Sequence, residues 1–105
     1  MKIIKLSNSI EQNDEAIRTI LDGRIIISSG VALFEPRTVA HEDEKHVHEY
    51  DEIFIILDNE IIVPIVGGKS GVASVGDWVF VEKGEEHHLT NATESPCTAI
   101  YMLIK

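Results

Sequence analysis

Residues 46–57 read HVHEYDEIFIIL, a polar start with two histidines that runs directly into an apolar strand. His46 and His48 are two residues apart, so in a β-strand both side chains point to one face. Glu52 keeps the same parity, and a slight bend at Glu49–Asp51 lets one strand aim two imidazoles and a carboxylate at one point. The segment therefore predicts three metal ligands whose mutual positions are set by the pleat of a single strand.

The histidines of the chain fall in two short windows, 41–48 and 87–88. An antiparallel barrel can return the strand of His87 beside the first strand, where His87 would supply a fourth ligand. His88 points the opposite way in a regular strand, and we expect His41, in an acidic loop, to be exposed to solvent. Three imidazoles and one carboxylate suit Fe(II), Mn(II), Ni(II), Co(II), Cu(II) or Zn(II), whereas Ca²⁺ and Mg²⁺ prefer all-oxygen shells.

Helical periodicity is confined to one stretch, which predicts a short helix over about 14–22 with Asn13 or Asp14 as N-cap and Gly23 as its stop. A short strand is predicted before it at Ile3–Leu6. The Asp58-Asn59 step is a strong candidate for a two-residue hairpin. Strands after Gly23 are predicted at about 24–28, 31–34, 46–49, 52–57, 60–66, 71–75, 77–82, 86–91 and 97–104. Short strands at this spacing indicate an all-β sandwich or barrel.

The apolar run Ile53–Leu57 does not alternate between polar and apolar residues. A strand of this kind has both faces covered. One face is expected to line the barrel, and the other to meet either a second sheet of the same chain or another subunit. The second option is the basis for expecting a homodimer.

Length and charge exclude several classes of protein. The chain has 105 residues, enough for one domain with its own core. A net charge of −9 argues against nucleic-acid binding and against anionic membrane surfaces. No apolar run approaches the length of a membrane helix or a signal peptide. The lone cysteine, Cys97, fits a reducing cytosol, so we expect a cytoplasmic protein.

The histidine windows resemble the two motifs of the cupins, small β-barrels of jelly-roll type. In the first motif, G-x5-H-x-H-x(3,4)-E-x6-G, the chain supplies both histidines and the acid, and its two glycine positions hold Ala40 and Asn59. Asn59 is a mild change, because asparagine tolerates the left-handed backbone of a turn. The second motif, G-x5-P-x-G-x2-H-x3-N, is matched by Gly76, Gly84, His87 and Asn91, with Glu82 at the proline position.

The resemblance implies a jelly-roll barrel over residues 24–105. Residues 1–23 lie outside the motif region, and we expect their strand and helix to pack on the barrel. The resemblance also implies a divalent transition metal held by His46, His48, Glu52 and His87, and Asn91 as a structural residue. The family pattern fixes no substrate residues. From strand parity and residue type, the aromatic candidates for a substrate pocket are Tyr50, Phe54, Trp78 and Tyr101; each has core packing as its alternative interpretation.

Cupins are functionally diverse, so the fold alone names no reaction. One hypothesis is a metal-dependent enzyme that acts on a small oxygenated organic molecule, of the dioxygenase or of the sugar or keto-acid isomerase type. The other is a non-catalytic module that binds or senses a metal or a small ligand. The expected partners are a small-molecule ligand and, as cofactor, a divalent transition metal.

Overall fold

The computed structural model describes residues 1–39, 49–85 and 88–105 of the chain. Its elements, in chain order, are β1 Lys2–Ile4, the helix α1 Ile10–Leu21, β2 Ile26–Phe34, β3 Thr38–Val39, β4 Asp51–Asp58, β5 Glu60–Pro64, a 3₁₀ turn Val66–Gly68, β6 Ser70–Ser74, β7 Trp78–Val81, β8 Thr90–Asn91 and β9 Cys97–Ile104. The predicted strand at 46–49 lies almost wholly outside the described residues.

Two antiparallel sheets face each other. The five-stranded sheet has the order β1-β7-β4-β9-β2 and the four-stranded sheet the order β3-β8-β5-β6. Between them lies an apolar core to which both sheets contribute: Phe34, Phe54, Ile56, Ile61, Val63, Ala73, Val79, Val81, Leu89, Cys97 and Ala99. This arrangement confirms the predicted all-β jelly-roll with an N-terminal strand and helix.

Helix α1 begins earlier than predicted. Ser9 is the N-cap: its hydroxyl accepts from Gln12 N at 3.2 Å, and Gln12 Oε1 accepts from Ser9 N at 3.2 Å. This is a capping box, which satisfies two backbone N–H groups of the first turn. The predicted start at Asn13 or Asp14 is therefore wrong; the Asn13 amide instead donates to Lys5 O at 3.1 Å.

The helix packs on the outer face of the five-stranded sheet. Ile20 of the helix and Ile4 of β1 form a second apolar cluster with Ile53 and Ile104, which are fully buried. The apolar run in β4 thus has the barrel core on one face and the N-terminal helix on the other. The sequence argument offered a second sheet or another subunit for that outer face; at Ile53 the helix of the same chain covers it.

The Asp58-Asn59 step is not a hairpin, which corrects a second prediction. β4 belongs to the five-stranded sheet and β5 to the four-stranded sheet, so the chain crosses between sheets at this point. Asn59 adopts the left-handed backbone expected at a turn, with φ 65°. Its amide donates to Thr93 Oγ1 at 2.7 Å and to Ser95 O at 3.0 Å, which fastens the crossing to the loop before β9.

Strand β2 also differs from prediction, because it continues through Gly30 where a break was expected. The register shift against β9 falls instead between Ile26 and Ser28. Gly30 has no side chain for a specific reason: a Cβ there would lie 2.9 Å from the ring and hydroxyl of Tyr101. The glycine thus makes room for an aromatic ring on the inner face of the sheet.

Candidate metal site

Glu52 lies on the inner face of the five-stranded sheet. It pairs with Val81 of β7 on one side and Leu103 of β9 on the other, and it is 6% exposed. Its inward neighbour along the strand is Phe54, which belongs to the core between the sheets. The predicted acidic ligand is therefore buried among apolar side chains inside the barrel.

Burial raises the pKa of Glu52 to about 7. A carboxylate is costly to bury among apolar groups unless a cation or hydrogen-bond donors face it. A nearby divalent cation would favour the ionised form, so the burial and donor chemistry of Glu52 fit a metal ligand.

The histidines predicted as ligands, His46, His48 and His87, lie outside the described residues. Within residues 1–39, 49–85 and 88–105, no three His, Cys, Asp or Glu side chains gather closely enough to hold a metal ion. Glu52 is thus the one predicted ligand among the described residues. The complete four-ligand set stays a prediction.

Two positions of the second motif have visible structural roles. Gly76 has φ 86°, and a Cβ there would lie 2.5 Å from Leu6 Cδ2, so glycine is required. Asn91 is fully buried, and its amide donates to Phe34 O and to Ser95 O, both at 2.9 Å. Its Oδ1 accepts from the backbone and hydroxyl of Thr93. Asn91 therefore organises the loop before β9, as a structural residue would.

Two of the four aromatic candidates face the barrel interior. Phe54 pairs with Tyr101 across β4 and β9, and both pack in the core between the sheets. The Phe54 ring meets Phe34 edge-on, with centroids 5.8 Å apart and planes at 64°. Phe54 is the next residue after Glu52 whose side chain faces the barrel interior. Phe54 and Tyr101 therefore provide aromatic side chains close to Glu52 on the inner face of the sheet.

The other two candidates lie elsewhere. Trp78 points to the outer face, where it packs with the cluster beneath helix α1. Tyr50 is exposed and borders a surface groove with Lys83 and Lys105. The structure therefore does not bring Trp78 or Tyr50 to Phe54 and Tyr101.

Cys97 lies at the far end of β9 from Glu52. It pairs with Phe34, whereas Glu52 pairs with Leu103, six residues further along the strand. At the rise of a β-strand this is on the order of 20 Å. Burial, with the nearby charges of Asp58 and Glu60, raises the pKa of the thiol to about 11. Cys97 is thus a protonated core residue, remote from the candidate site.

Sequence reasoning missed an ionic network beside Glu52. Asp51 Oδ1 accepts from Lys83 N at 2.7 Å, and Asp51 Oδ2 accepts from Arg24 Nη2 at 2.6 Å. No strand or helix pattern signals these contacts, because the three residues come from separate parts of the chain. The network fixes the end of the sheet at which Glu52 lies.

In the part of the chain that the structure describes, no helix is long and apolar enough to cross a membrane. The helix α1 has twelve residues, well below the roughly 20 that a bilayer demands.

Comparison with known families and structures supports the fold. The family model described as the cupin domain matches residues 38–103. Among curated proteins, none matches the chain by sequence.

Similar solved structures include the Drosophila melanogaster CENP-C cupin domain (TM-score 0.59, 17% identity), a putative ethanolamine utilization protein Q from Salmonella typhimurium LT2 (0.56, 20%) and the DMSP lyase DddQ from Ruegeria pomeroyi DSS-3 (0.58, 24%). These matches cover 73%, 96% and 71% of this chain, and 60%, 66% and 36% of the respective other chains. The chain therefore spans less than two thirds of the CENP-C chain. At these identities the likeness concerns the fold.

Proposed function

The chain belongs to the cupin family, and from that premise we propose that it binds a divalent transition metal through His46, His48, Glu52 and His87. We further propose that it is a metal-dependent enzyme acting on a small oxygenated organic molecule, of the dioxygenase or of the sugar or keto-acid isomerase type. The observation that carries the proposal is Glu52, which occupies the acid position of the first motif and lies buried on the inner barrel face.

The residues of the chain have distinct parts in this proposal. A bound metal of the Fe, Mn, Ni, Co, Cu or Zn group would supply Lewis acidity at the centre of the barrel. Glu52 is held rigidly, because β7 and β9 pair with its strand on both sides. Phe54 and Tyr101 would exclude water and offer an apolar surface to the carbon skeleton of a substrate.

A non-catalytic cupin that binds or senses a ligand is the second candidate. One observation favours it: Glu82, which stands at the proline position of the second motif, is exposed to solvent, whereas a second carboxylate beside Glu52 would be buried. Among similar structures, one is Drosophila melanogaster CENP-C bound to CAL1, while another is a DMSP lyase. The fold thus accommodates both kinds of role.

The test is a metal-by-substrate screen with two histidine variants. The protein is loaded separately with Fe, Mn, Ni and Zn and assayed for O₂ uptake and for turnover of sugars and keto acids. We expect metal-dependent turnover that His48→Ala abolishes and that His88→Ala, the matched control beside His87, retains. Tight metal-dependent ligand binding without chemical change would favour the binding module. Turnover that survives in His48→Ala would contradict the proposed site.

We also propose that the chain forms a homodimer and works in the cytoplasm with small molecules as partners. The surface that supports a dimer is β2, an edge strand of the five-stranded sheet with exposed apolar side chains. A second copy is the favoured occupant, because Ile25–Phe34 carry no charge in a chain of net charge −9. Mutual repulsion between two copies is weakest along such a strand. The buried free thiol of Cys97 supports a reducing compartment.

A further inference from the structure

We propose that Asp51 and Arg24 are positioning residues for the metal site. Together they fasten the strand that carries Glu52 to the turn that leads to His87. The inference rests on the proposed metal function, and it concerns residues that neither the cupin motifs nor the strand pattern single out. It assigns a role in metal affinity to the segment between helix α1 and β2, outside the motif region.

The Asp51 side chain links β4 to the chain beyond β7. The backbone pairing of these strands reaches Glu52 and Val81. Lys83 lies two residues beyond Val81, and its backbone N–H donates to Asp51 Oδ1 at 2.7 Å. The Asp51 carboxylate therefore links β4 to the chain beyond the last backbone pair of β4 and β7. Asp51 is the residue next to the proposed ligand Glu52. Hydrogen bonds to a charged acceptor are roughly twice as strong as neutral ones.

The turn that Asp51 holds is itself braced. Glu85 N donates to Glu82 O at 3.1 Å, and Glu82 N donates to Glu85 Oε1 at 2.8 Å. Residues 82–85 therefore form a hydrogen-bonded turn, and the bond from Lys83 N to Asp51 attaches this turn to β4. His87 follows this turn by two residues in the sequence. Movement of the turn relative to β4 would change the separation between the chain segments that supply Glu52 and His87.

Arg24 fixes the other carboxylate oxygen and joins two further elements to it. Its Nη2 donates to Asp51 Oδ2 at 2.6 Å and to Ile104 O at 3.4 Å, and its Nη1 donates to Ile20 O at 3.4 Å. The ion pair is shielded, with side-chain exposures of 27% and 17%. Arg24 and Asp51 thereby connect four parts of the chain: the end of helix α1, β9, β4 and the turn at residues 82–85.

Loss of this anchor should weaken metal binding more than it weakens the fold. Metal ligands must be held within about 0.5 Å of the productive geometry. Residues that orient ligands from outside the coordination shell typically cost roughly 10- to 100-fold in metal affinity when they are removed. Asp51 acts one step further from the ligands, through its bonds to Lys83 and Arg24, so we expect Asp51→Ala to lower Co²⁺ affinity by about tenfold, the lower end of that range.

Asp77 provides a matched control. It is a buried aspartate that pairs with Lys5 Nζ at 2.7 Å and accepts from the backbone N–H groups of Leu6 and Ser74. It precedes β7 at the opposite end of its pairing with β4. Asp77→Ala removes the same kinds of contact but leaves the Glu52 end intact. It should destabilise the protein at least as much as Asp51→Ala without lowering Co²⁺ affinity.

The experiment titrates Co²⁺ into metal-free wild type, Asp51→Ala, Arg24→Gln and Asp77→Ala, recording the dissociation constant, the visible Co²⁺ spectrum and the melting temperature of each. We expect weaker binding and an altered spectrum in Asp51→Ala. Arg24→Gln, which keeps the bond to Lys83, should show a smaller effect and serves if Asp51→Ala does not fold. Unchanged affinity in both of these variants, or an equal loss in Asp77→Ala, would contradict the positioning role of Asp51 and Arg24. It would leave the proposed metal site itself untouched. A wild type that binds no Co²⁺ would overturn the metal proposal together with the positioning role.

Discussion

Glu52 shows how one buried carboxyl group couples folding to pH. Its parity with the two histidines of the first motif was readable from sequence, and its inward position in β4 agrees with that pattern. Its raised pKa was not readable, because the desolvating neighbours Val81 and Leu103 come from strands far along the chain. Local spacing predicts which face a side chain takes, whereas burial depends on partners that only the fold brings together.

The raised pKa of Glu52 predicts a pH-dependent stability for the metal-free protein. Its folded pKa of about 7 exceeds its ordinary value of 4.5, so its contribution to stability is complete below 4.5 and is lost as the pH rises through about 7. The loss is on the order of 3 kcal/mol. Urea unfolding from about pH 5 to about pH 8 measures it.

Glu52→Gln should remove that part of the pH dependence, since the amide stays neutral throughout. Glu82→Gln is the matched control: Glu82 is exposed, so its variant should follow the wild-type curve. If wild type and Glu52→Gln lose stability in parallel across the range, the carboxyl group is not buried as described.

At the scale of elements, the N-terminal helix is the feature that sequence reasoning placed least well. The signal for its start was present as Ser9 with Gln12 three residues later, a capping-box spacing. Its packing on the outer face of β4 could not be predicted, because an apolar strand face says only that something covers it. The sequence correctly predicts a turn at Asp58-Asn59, where Asn59 has the left-handed backbone. It wrongly predicts that the two flanking strands pair with each other, because turn residues are a local signal and the sheet that a strand joins is not.

The helix should contribute a large share of stability through one side chain. Ile20 is 6% exposed against the outer face of the five-stranded sheet, whereas Ile10 of the same helix is 85% exposed. We expect Ile20→Ala to lower the free energy of unfolding by about 2–5 kcal/mol, and Ile10→Ala to change it by less than about 0.5 kcal/mol. Denaturant unfolding of both variants checks this, and equal effects would contradict the packing of α1 on the sheet.

At the scale of the whole molecule, the exposed edge of the five-stranded sheet is the surface at which we propose that two copies meet. Strand β2 pairs with β9 on one side and carries the exposed apolar residues Ile26, Ile27, Val31 and Leu33, with Ile25 exposed just before it. Large apolar side chains that are exposed together on one element are typical of an interface. Antiparallel pairing of β2 with its own copy is self-complementary, as a two-fold dimer requires. The apolar run Ile53–Leu57, from which the sequence predicts a dimer, packs against the helix of its own chain at Ile53, so the proposed dimer surface is β2.

Charge placed on this edge should separate the subunits. A lysine on an edge strand opposes pairing with another strand. We expect wild type to sediment as a dimer at micromolar concentration and Val31→Lys as a monomer. Val72→Lys puts the same charge on β6, an edge strand of the other sheet, and should remain dimeric. A monomeric wild type, or a dimeric Val31→Lys, would contradict the proposed interface.

Elemental analysis of purified wild type, His48→Ala and His88→Ala tests the proposed metal site. The cupin motifs and the buried Glu52 predict one divalent transition-metal ion per chain in wild type. That ion should be lost from His48→Ala and kept in His88→Ala. Equal metal content in the two variants, or a wild type that takes up no transition metal at micromolar concentration, would contradict the central claim.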